Sequence, residues 1–160
     1  MKREEIIEGI SQKFKEMSTE TIMFHQAVAD VLGLHITDHK CYDLIYRFGA
    51  MPAGRLGELT GLTTGAVTGI IDRLEAAGYV RRTNDPKDRR RTIVEPTRNR
   101  KLERKIEVIF MPLHERMHKL LSSYSDNELA SLLDATTEFI AWTREESKKL
   151  RHRQKQSSMK

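Results

Sequence analysis

The sequence predicts a mainly α protein with one small β-hairpin. Three observations carry this. Two short helical segments stand in the middle of the chain, separated by a few residues around Gly61. A pair of β-prone runs follows them at once, joined by a turn-forming stretch dense in cations. Long amphipathic segments stand at both ends. Two close-set helices followed by a hairpin form a winged helix-turn-helix, and apolar stripes on long terminal helices read as dimerisation helices.

Residues 3–32 read as one amphipathic helix. Ile6, Ile10, Phe14, Met17, Phe24, Val28 and Leu32 recur at steps of mostly three and four, with no Pro between them, and Gly33 ends the run. Thr37 is the expected N-cap of a second helix carrying Tyr42, Leu44, Ile45 and Phe48. Residues 49–52 break the chain. Short helices are predicted over 55–60 and 63–77, and Gly78 closes the second where a left-handed residue is needed. The runs 79–83 and 91–95 are β-prone, and Asn84 to Asp88 supply turn formers for the hairpin tip. From Thr97 a helical stripe returns with Leu102, Ile106, Ile109, Leu113, Met117 and Leu120, and Pro112 inside it predicts a kink. Ser125 with Glu128 three residues on is a capping box that opens the last helix.

This organisation gives one domain over 1–146, with dimerisation helices over about 3–32 and 97–146. The intervening lobe covers about 37–96, with the helix-turn-helix at 53–77 and the wing at 79–95. Beyond Glu146 no acidic residue remains, and 147–160 is expected to be a basic, disordered tail.

Charge points the same way. Of the 160 residues, 38% are hydrophobic and 32% charged, so the core is modest and part of the burial is expected between chains. The net charge of +5 favours a polyanionic partner, nucleic acid or an anionic surface. A single cysteine, Cys41, excludes an intrachain disulfide and suits a reducing compartment. The first residues lack the apolar stretch of a signal peptide, and no run approaches the roughly 20 apolar residues of a membrane span. The expected location is cytoplasmic.

The chemistry concentrates between Ala53 and Arg91. Leu56 and Leu59 face the first short helix inward, and Leu62, Val67, Ile70, Ile71 and Leu74 pin the second against it. Thr64, Gly65, Thr68, Gly69 and Arg73 are left pointing outward. Small and hydroxyl-bearing residues let a helix end approach base edges and phosphates closely. The hairpin adds Arg81, Arg82, Lys87, Arg89, Arg90 and Arg91 against Asp85 and Asp88, a charge density suited to a phosphate backbone or a minor groove.

The stretch LTGLTTGAVTGIIDRLEAAGYVRRTNDPKDRRRT resembles the recognition helix and wing of the MarR family of transcriptional regulators. Its specific pieces are Asp72-Arg73-Leu74-Glu75, Gly78-Tyr79-Val80 and Asp85-Pro86-Lys87-Asp88-Arg89-Arg90. The helix after the wing departs from the family pattern, opening Glu-Pro-Thr-Arg-Asn-Arg, and Gly65 and Gly69 stand where bulkier polar residues are common. The resemblance implies a homodimer built by the first and last helices, each winged helix reading one half-site of double-stranded DNA. It implies a DNA-binding site of Thr63, Thr64, Gly65, Thr68, Arg73, Arg81, Lys87, Asp88, Arg89 and Arg90, in which Asp88 itself does not touch DNA. Arg90 would enter the minor groove, and Asp88 would orient Arg73 or Arg90. It also implies a small phenolic or lipophilic effector in a cleft near Phe24, His25, His35, His39, Tyr42, Tyr46 and Phe110. No cofactor or metal is implied.

Two further signals compete with this reading. His114-Glu115-Arg116-Met117-His118 matches H-E-x-x-H, which on a helix puts both imidazoles on one face as in zinc proteases. The match fixes three positions in a chain holding 6 His, and it falls in a dimerisation helix, so a zinc-dependent hydrolase is the remote alternative. A regulatory metal would draw on the same histidines with His35 or His39. Cys41 has no neighbouring cysteine to resolve an oxidised thiol, which makes it a core residue before a redox sensor. The function expected is a sequence-specific, ligand-responsive repressor, with a low-specificity nucleoid-type DNA-binding protein as the alternative.

Overall fold

The computed structural model of the chain describes residues 2–85, 88 and 91–157, and for Lys155 the backbone alone. The chain divides into two compact units, Met1–Glu103 and Arg104–Lys160. In order, the elements are α1 (Arg3–Leu32), α2 (Ile36–Phe48), β1 (Met51–Pro52), α3 (Ala53–Thr60), α4 (Thr64–Ala76), β2 (Val80–Asn84), β3 (Thr92–Pro96), α5 (Arg100–Leu121) and α6 (Asp126–Ser157).

In the first unit the apolar spacing dictates the packing. Val67, Ile70, Ile71 and Leu74 fall on one stripe of α4, and all four are buried. Leu56 of α3, Ile45 of α2 and Val94 of β3 are each fully enclosed in the same unit, and α4 packs against α2 and α3. The turn between α3 and α4 depends on Gly61, whose φ of 75° lies in the left-handed region and whose N–H caps the carbonyl of Gly57 at 2.7 Å. Thr63 then caps α4, its hydroxyl accepting from the N–H of Ala66. Gly57 is a close-approach position: a Cβ there would stand 3.3 Å from the carbonyl oxygen of Leu62.

The three strands form one antiparallel sheet in the order β1-β3-β2. The hairpin pairs Val80 with Pro96 and Asn84 with Thr92, and β1 adds Met51 opposite Val94. Tyr79 anchors the hairpin base, its buried hydroxyl donating to the carbonyl of Leu32 at the end of α1 at 2.7 Å.

Several expectations change. The N-cap of α2 is His35, not Thr37, so the helix begins two residues earlier, shortly after the left-handed Gly33. The strand β1 was not foreseen, because two residues carry no periodicity. Segment 147–157 is helical rather than disordered. It holds no Gly or Pro to stop α6, and Lys149 pairs with Glu145 and Glu146 one turn back. α5 runs through Pro112 as helix. In the second unit, Ser125 and Glu128 close the foreseen capping box, with the Ser125 N–H donating to the Glu128 carboxylate at 2.8 Å and the Glu128 N–H to the Ser125 hydroxyl at 3.4 Å. Among the described residues no helix is long and apolar enough to cross a membrane.

Candidate nucleic-acid interface

The first turns of α4 present little but backbone and hydroxyls. Thr63, Thr64, Gly65, Ala66 and Thr68 are all exposed. The Thr68 hydroxyl donates to the Thr64 carbonyl at 2.9 Å, which leaves its lone pairs directed outward as acceptors. A Cβ added at Gly65 would meet nothing within 4 Å, so packing inside the chain does not require a glycine there. The free N–H groups of this helix start attract anions.

Arg73 is not a free cation on this surface. Its Nε donates to Asp38 Oδ2 and its Nη2 to Asp38 Oδ1, both at 2.7 Å. The carboxylate it grips is buried, and these hydrogen bonds raise the guanidinium pKa still further. The expected orienting of Arg73 by Asp88 is therefore corrected: the orienting carboxylate comes from α2, which sequence distance hid.

The cations of the wing strands are paired as well. Arg81 donates to Glu95, its partner across the hairpin, at 2.6 Å. Arg82, which in the sequence counts only toward the hairpin's charge, reaches back to α4. It bonds Asp72 at 2.5 Å and Glu75 through both guanidinium and backbone N–H, and these contacts pull the Glu75 carboxyl below its usual range. The signal for it was present in the two acidic residues of α4 at positions 72 and 75, one turn apart on its wing-facing flank. At the tip, Asp88 accepts the Arg91 N–H through its backbone carbonyl at 2.9 Å. The expected contacts Lys87, Arg89 and Arg90 lie outside the described residues.

The residues expected around an effector divide into separate places. A cavity of about 610 Å³ opens between the end of α1, the start of α2 and α4, lined by Gln26, His35, Asp38, Gly65, Gly69 and Arg73 among others. His35 belongs to it. Phe24, His25, His39, Tyr42 and Tyr46 stand apart on α1 and α2, and Phe110 lies on α5 in the second unit. His25 Nδ1 and His39 Nε2 are 3.1 Å apart, with the Lys40 ammonium 3.4 Å from His25 Nε2. An ammonium only donates, so His25 accepts at Nε2, donates from Nδ1, and leaves His39 with a buried Nδ1–H that has no partner among the described residues. Burial, then the neighbouring His25 and Lys40, push His39 down to about 4. The Tyr42 hydroxyl is likewise buried without a partner among the described residues, and its ring packs edge-on against Tyr79 at 5.1 Å.

His114, Glu115 and His118 are exposed on α5. Among the described residues no group of three or more His, Cys, Asp or Glu is placed to hold a metal ion. Cys41 is buried, and burial beside Asp38 pushes its thiol up to about 11, which disfavours the reactive thiolate.

Comparison with known proteins agrees with this geometry. The sequence pattern of the MarR family matches residues 34–92, from the start of α2 to the start of β3. The HTH-type transcriptional regulator YcgE of Bacillus subtilis (strain 168), itself uncharacterized, is 45% identical over 79% of this chain and 81% of its own length. The solved transcriptional regulator Tm0710 of Thermotoga maritima is similar over 86% of this chain and 96% of its own, at 27% identity and a TM-score of 0.59. FabT of Streptococcus pneumoniae, solved in complex with DNA, shares the fold over 87% of this chain and 98% of its own at 19% identity, with a TM-score of 0.66. With that identity to YcgE across most of both chains, and the family pattern lying on its helix-turn-helix and wing, this chain belongs to the MarR family of DNA-binding, HTH-type transcriptional regulators.

Proposed function

We propose that the protein is a cytoplasmic, homodimeric repressor that reads a palindromic operator and is released by a small effector, acting by binding alone and without catalysis. The observation that carries this is the bare first turn of α4, where Thr64, Gly65 and Thr68 stand exposed with no bulky side chain among them. Thr64 and Thr68, one turn apart, face the major groove together, and Thr63 and Gly65 bring backbone to the phosphates. Lys87, Arg89 and Arg90 of the wing track the adjacent minor groove. Arg81, tied to Glu95, contributes at most at its edge. Two copies place their half-sites about one helical turn of DNA apart, roughly 34–36 Å.

For the effector, the cavity beside α4, about 610 Å³ and including His35, has room for a small molecule, and its lining mixes polar groups with Leu34, Ile36 and Ile70. A ligand there acts only if it binds a DNA-incompetent arrangement more tightly than the competent one.

Footprinting tests the proposal. Protection of one discrete two-fold site is expected. Continuous, sequence-indifferent protection would establish the low-specificity nucleoid-type reading instead. Weakened operator binding with an effector panel of phenolic and lipophilic compounds, measured by fluorescence anisotropy, tests release.

A further inference from the structure

We propose that Arg73 is a positioning residue: gripped by the buried carboxylate of Asp38, it sets the angle of α4 on α2, so sequence discrimination rests on an ion pair that does not touch DNA. This extends the reading of α4 as the recognition helix and depends on it.

The argument starts from Asp38. It is the third residue of α2 and is 1% exposed. A buried carboxylate is tolerated only when paired and hydrogen-bonded. Arg73 meets both oxygens with two parallel 2.7 Å bonds, a planar fork that fixes distance and rotation together, where a single ammonium contact would fix distance alone. The two residues are 35 positions apart, so the pair joins two elements rather than two turns of one helix.

One alternative is that Arg73, whose side chain is 52% exposed, leaves Asp38 for a phosphate. That exchange strands a buried charge and replaces two charge-assisted bonds with one solvent-exposed contact, so it is unfavourable. The other is that it keeps the fork, which uses Nε and Nη2, and reaches a phosphate through Nη1; the salt slope separates that contact from positioning alone. The opposite flank is held in the same manner. Arg82 of β2 bonds Asp72 and Glu75, so α4 is braced from α2 on one side and from the wing on the other. The brace matters because of where it acts. Thr64 lies nine residues from Arg73, roughly 13 Å along the helix, and a tilt of roughly 5° at the pair displaces it by about 1 Å. Base-edge contacts tolerate about half of that.

The test uses the full-length protein and two probes: the tightest duplex that the wild type selects from a randomised pool, and poly(dI-dC). Anisotropy titrations across a potassium chloride series give affinity and salt slope for Arg73→Lys, Arg73→Gln, Asp38→Asn and the double variant Asp38→Asn/Arg73→Gln. A positioning role predicts that Arg73→Lys, which keeps the charge, weakens the selected duplex at least about tenfold. Its binding to poly(dI-dC) and its salt slope stay unchanged. The double variant should match Asp38→Asn within about a factor of 2, because one interaction is lost once.

A phosphate contact predicts otherwise: equal weakening on both duplexes, and a salt slope lower by about 1 per protomer in Arg73→Gln. That result overturns the proposal, as does wild-type affinity in Arg73→Lys. Thermal unfolding is followed in parallel. Loss of the cooperative transition in Arg73→Lys itself would make the pair a folding element and also overturn it. Failure of the wild type to select any duplex would instead fail the recognition-helix reading, and so is distinguishable.

Discussion

The stretch from Val28 to Val94 and the helices α5 and α6 are built from similar apolar residues but use them differently. Every buried apolar side chain among the described residues falls between Val28 and Val94, where Leu56, Ile45, Leu74 and Val94 are fully enclosed. Along α5 and α6 no described residue is buried, yet Leu113, Met117, Leu120, Leu133, Phe139, Ile140 and Trp142 stand exposed at helical spacing. The lobe satisfies its hydrophobic pattern within one chain. The terminal helices carry a pattern that one chain leaves open, and contiguous apolar surface of that extent marks an interface. The same holds for Ile6, Ile10 and Met17 of α1.

Two leucines sharpen that contrast and give the largest expected effect. Leu74 is fully enclosed, so Leu74→Ala should cost about 3 kcal/mol at any protein concentration. Leu133 is 66% exposed, and in an isolated chain Leu133→Ala would change stability by no more than about 0.5 kcal/mol. If a second copy covers it, the loss should rival that of Leu74, and melting should depend on concentration. Leu133→Asp should then shift sedimentation from a dimer toward an 18.5 kDa species. A wild type already sedimenting at 18.5 kDa at micromolar concentration would break the comparison.

The residues legible in sequence were those whose cause is local. Gly61 and Gly78 announce left-handed positions, φ 75° and 76°, because only glycine enters that region cheaply. Ser125 with Glu128, and the stripe Val67 to Leu74, fix their helices within a few turns. What could not be read depends on distant pairing. Arg73 looks like a DNA-facing cation until Asp38, on another helix, engages its Nε and Nη2. Arg81 and Arg82 add to the wing's charge count, but their partners cross the sheet or reach back to α4. Met51–Pro52 becomes a strand only because Val94 and Ile93 come to lie beside it. The helical stretch beyond Glu146 differs in kind: its run of cations suggests a disordered tail, while its lack of any Gly or Pro lets α6 continue to Ser157.

A middle-sized effect comes from α1 and α2, where the lobe contains a polar fault. His39 is enclosed with an unpartnered Nδ1–H, and its pKa is held down to about 4, while that of the neighbouring His25 is also lowered, mainly by burial. The sign follows from the direction. A histidine harder to protonate when folded binds its proton in the unfolded chain first, so folding stability is intact above about pH 6.5 and falls as pH drops toward 4. The slope approaches about 1.4 kcal/mol per pH unit for each such group. Asp43 opposes this partly, and Lys40 reinforces it. Chemical denaturation between pH 7 and 4 should show the decline, and His39→Gln should flatten it. An unchanged slope in His39→Gln would assign the acid sensitivity to other groups.

The smallest effect discriminates most finely between what the lobe needs for folding and what it needs for binding. Gly65 is the second residue of α4, exposed, and a methyl added there meets nothing within 4 Å. Nothing in the chain needs the glycine, which carries a helix-propensity cost of up to about 1 kcal/mol, smaller near a helix end. Gly65→Ala should therefore raise stability by about 0.5 kcal/mol and the melting temperature by a degree or more. Gly69→Ala is the matched control. Its methyl would stand at an ordinary 3.5 Å from Arg73 Nη1, one turn further from the helix start, so it should stabilise similarly. The two part company on DNA. If the backbone at Gly65 approaches the duplex closely, its methyl occupies that space, and operator affinity falls while stability rises. The Gly69 variant should bind as the wild type does, provided that Arg73 keeps its grip on Asp38. Anisotropy titrations beside thermal melts separate the two quantities. Operator binding by Gly65→Ala as tight as the wild type's would remove the close approach and leave Thr64 and Thr68 as the groove-facing groups of that turn.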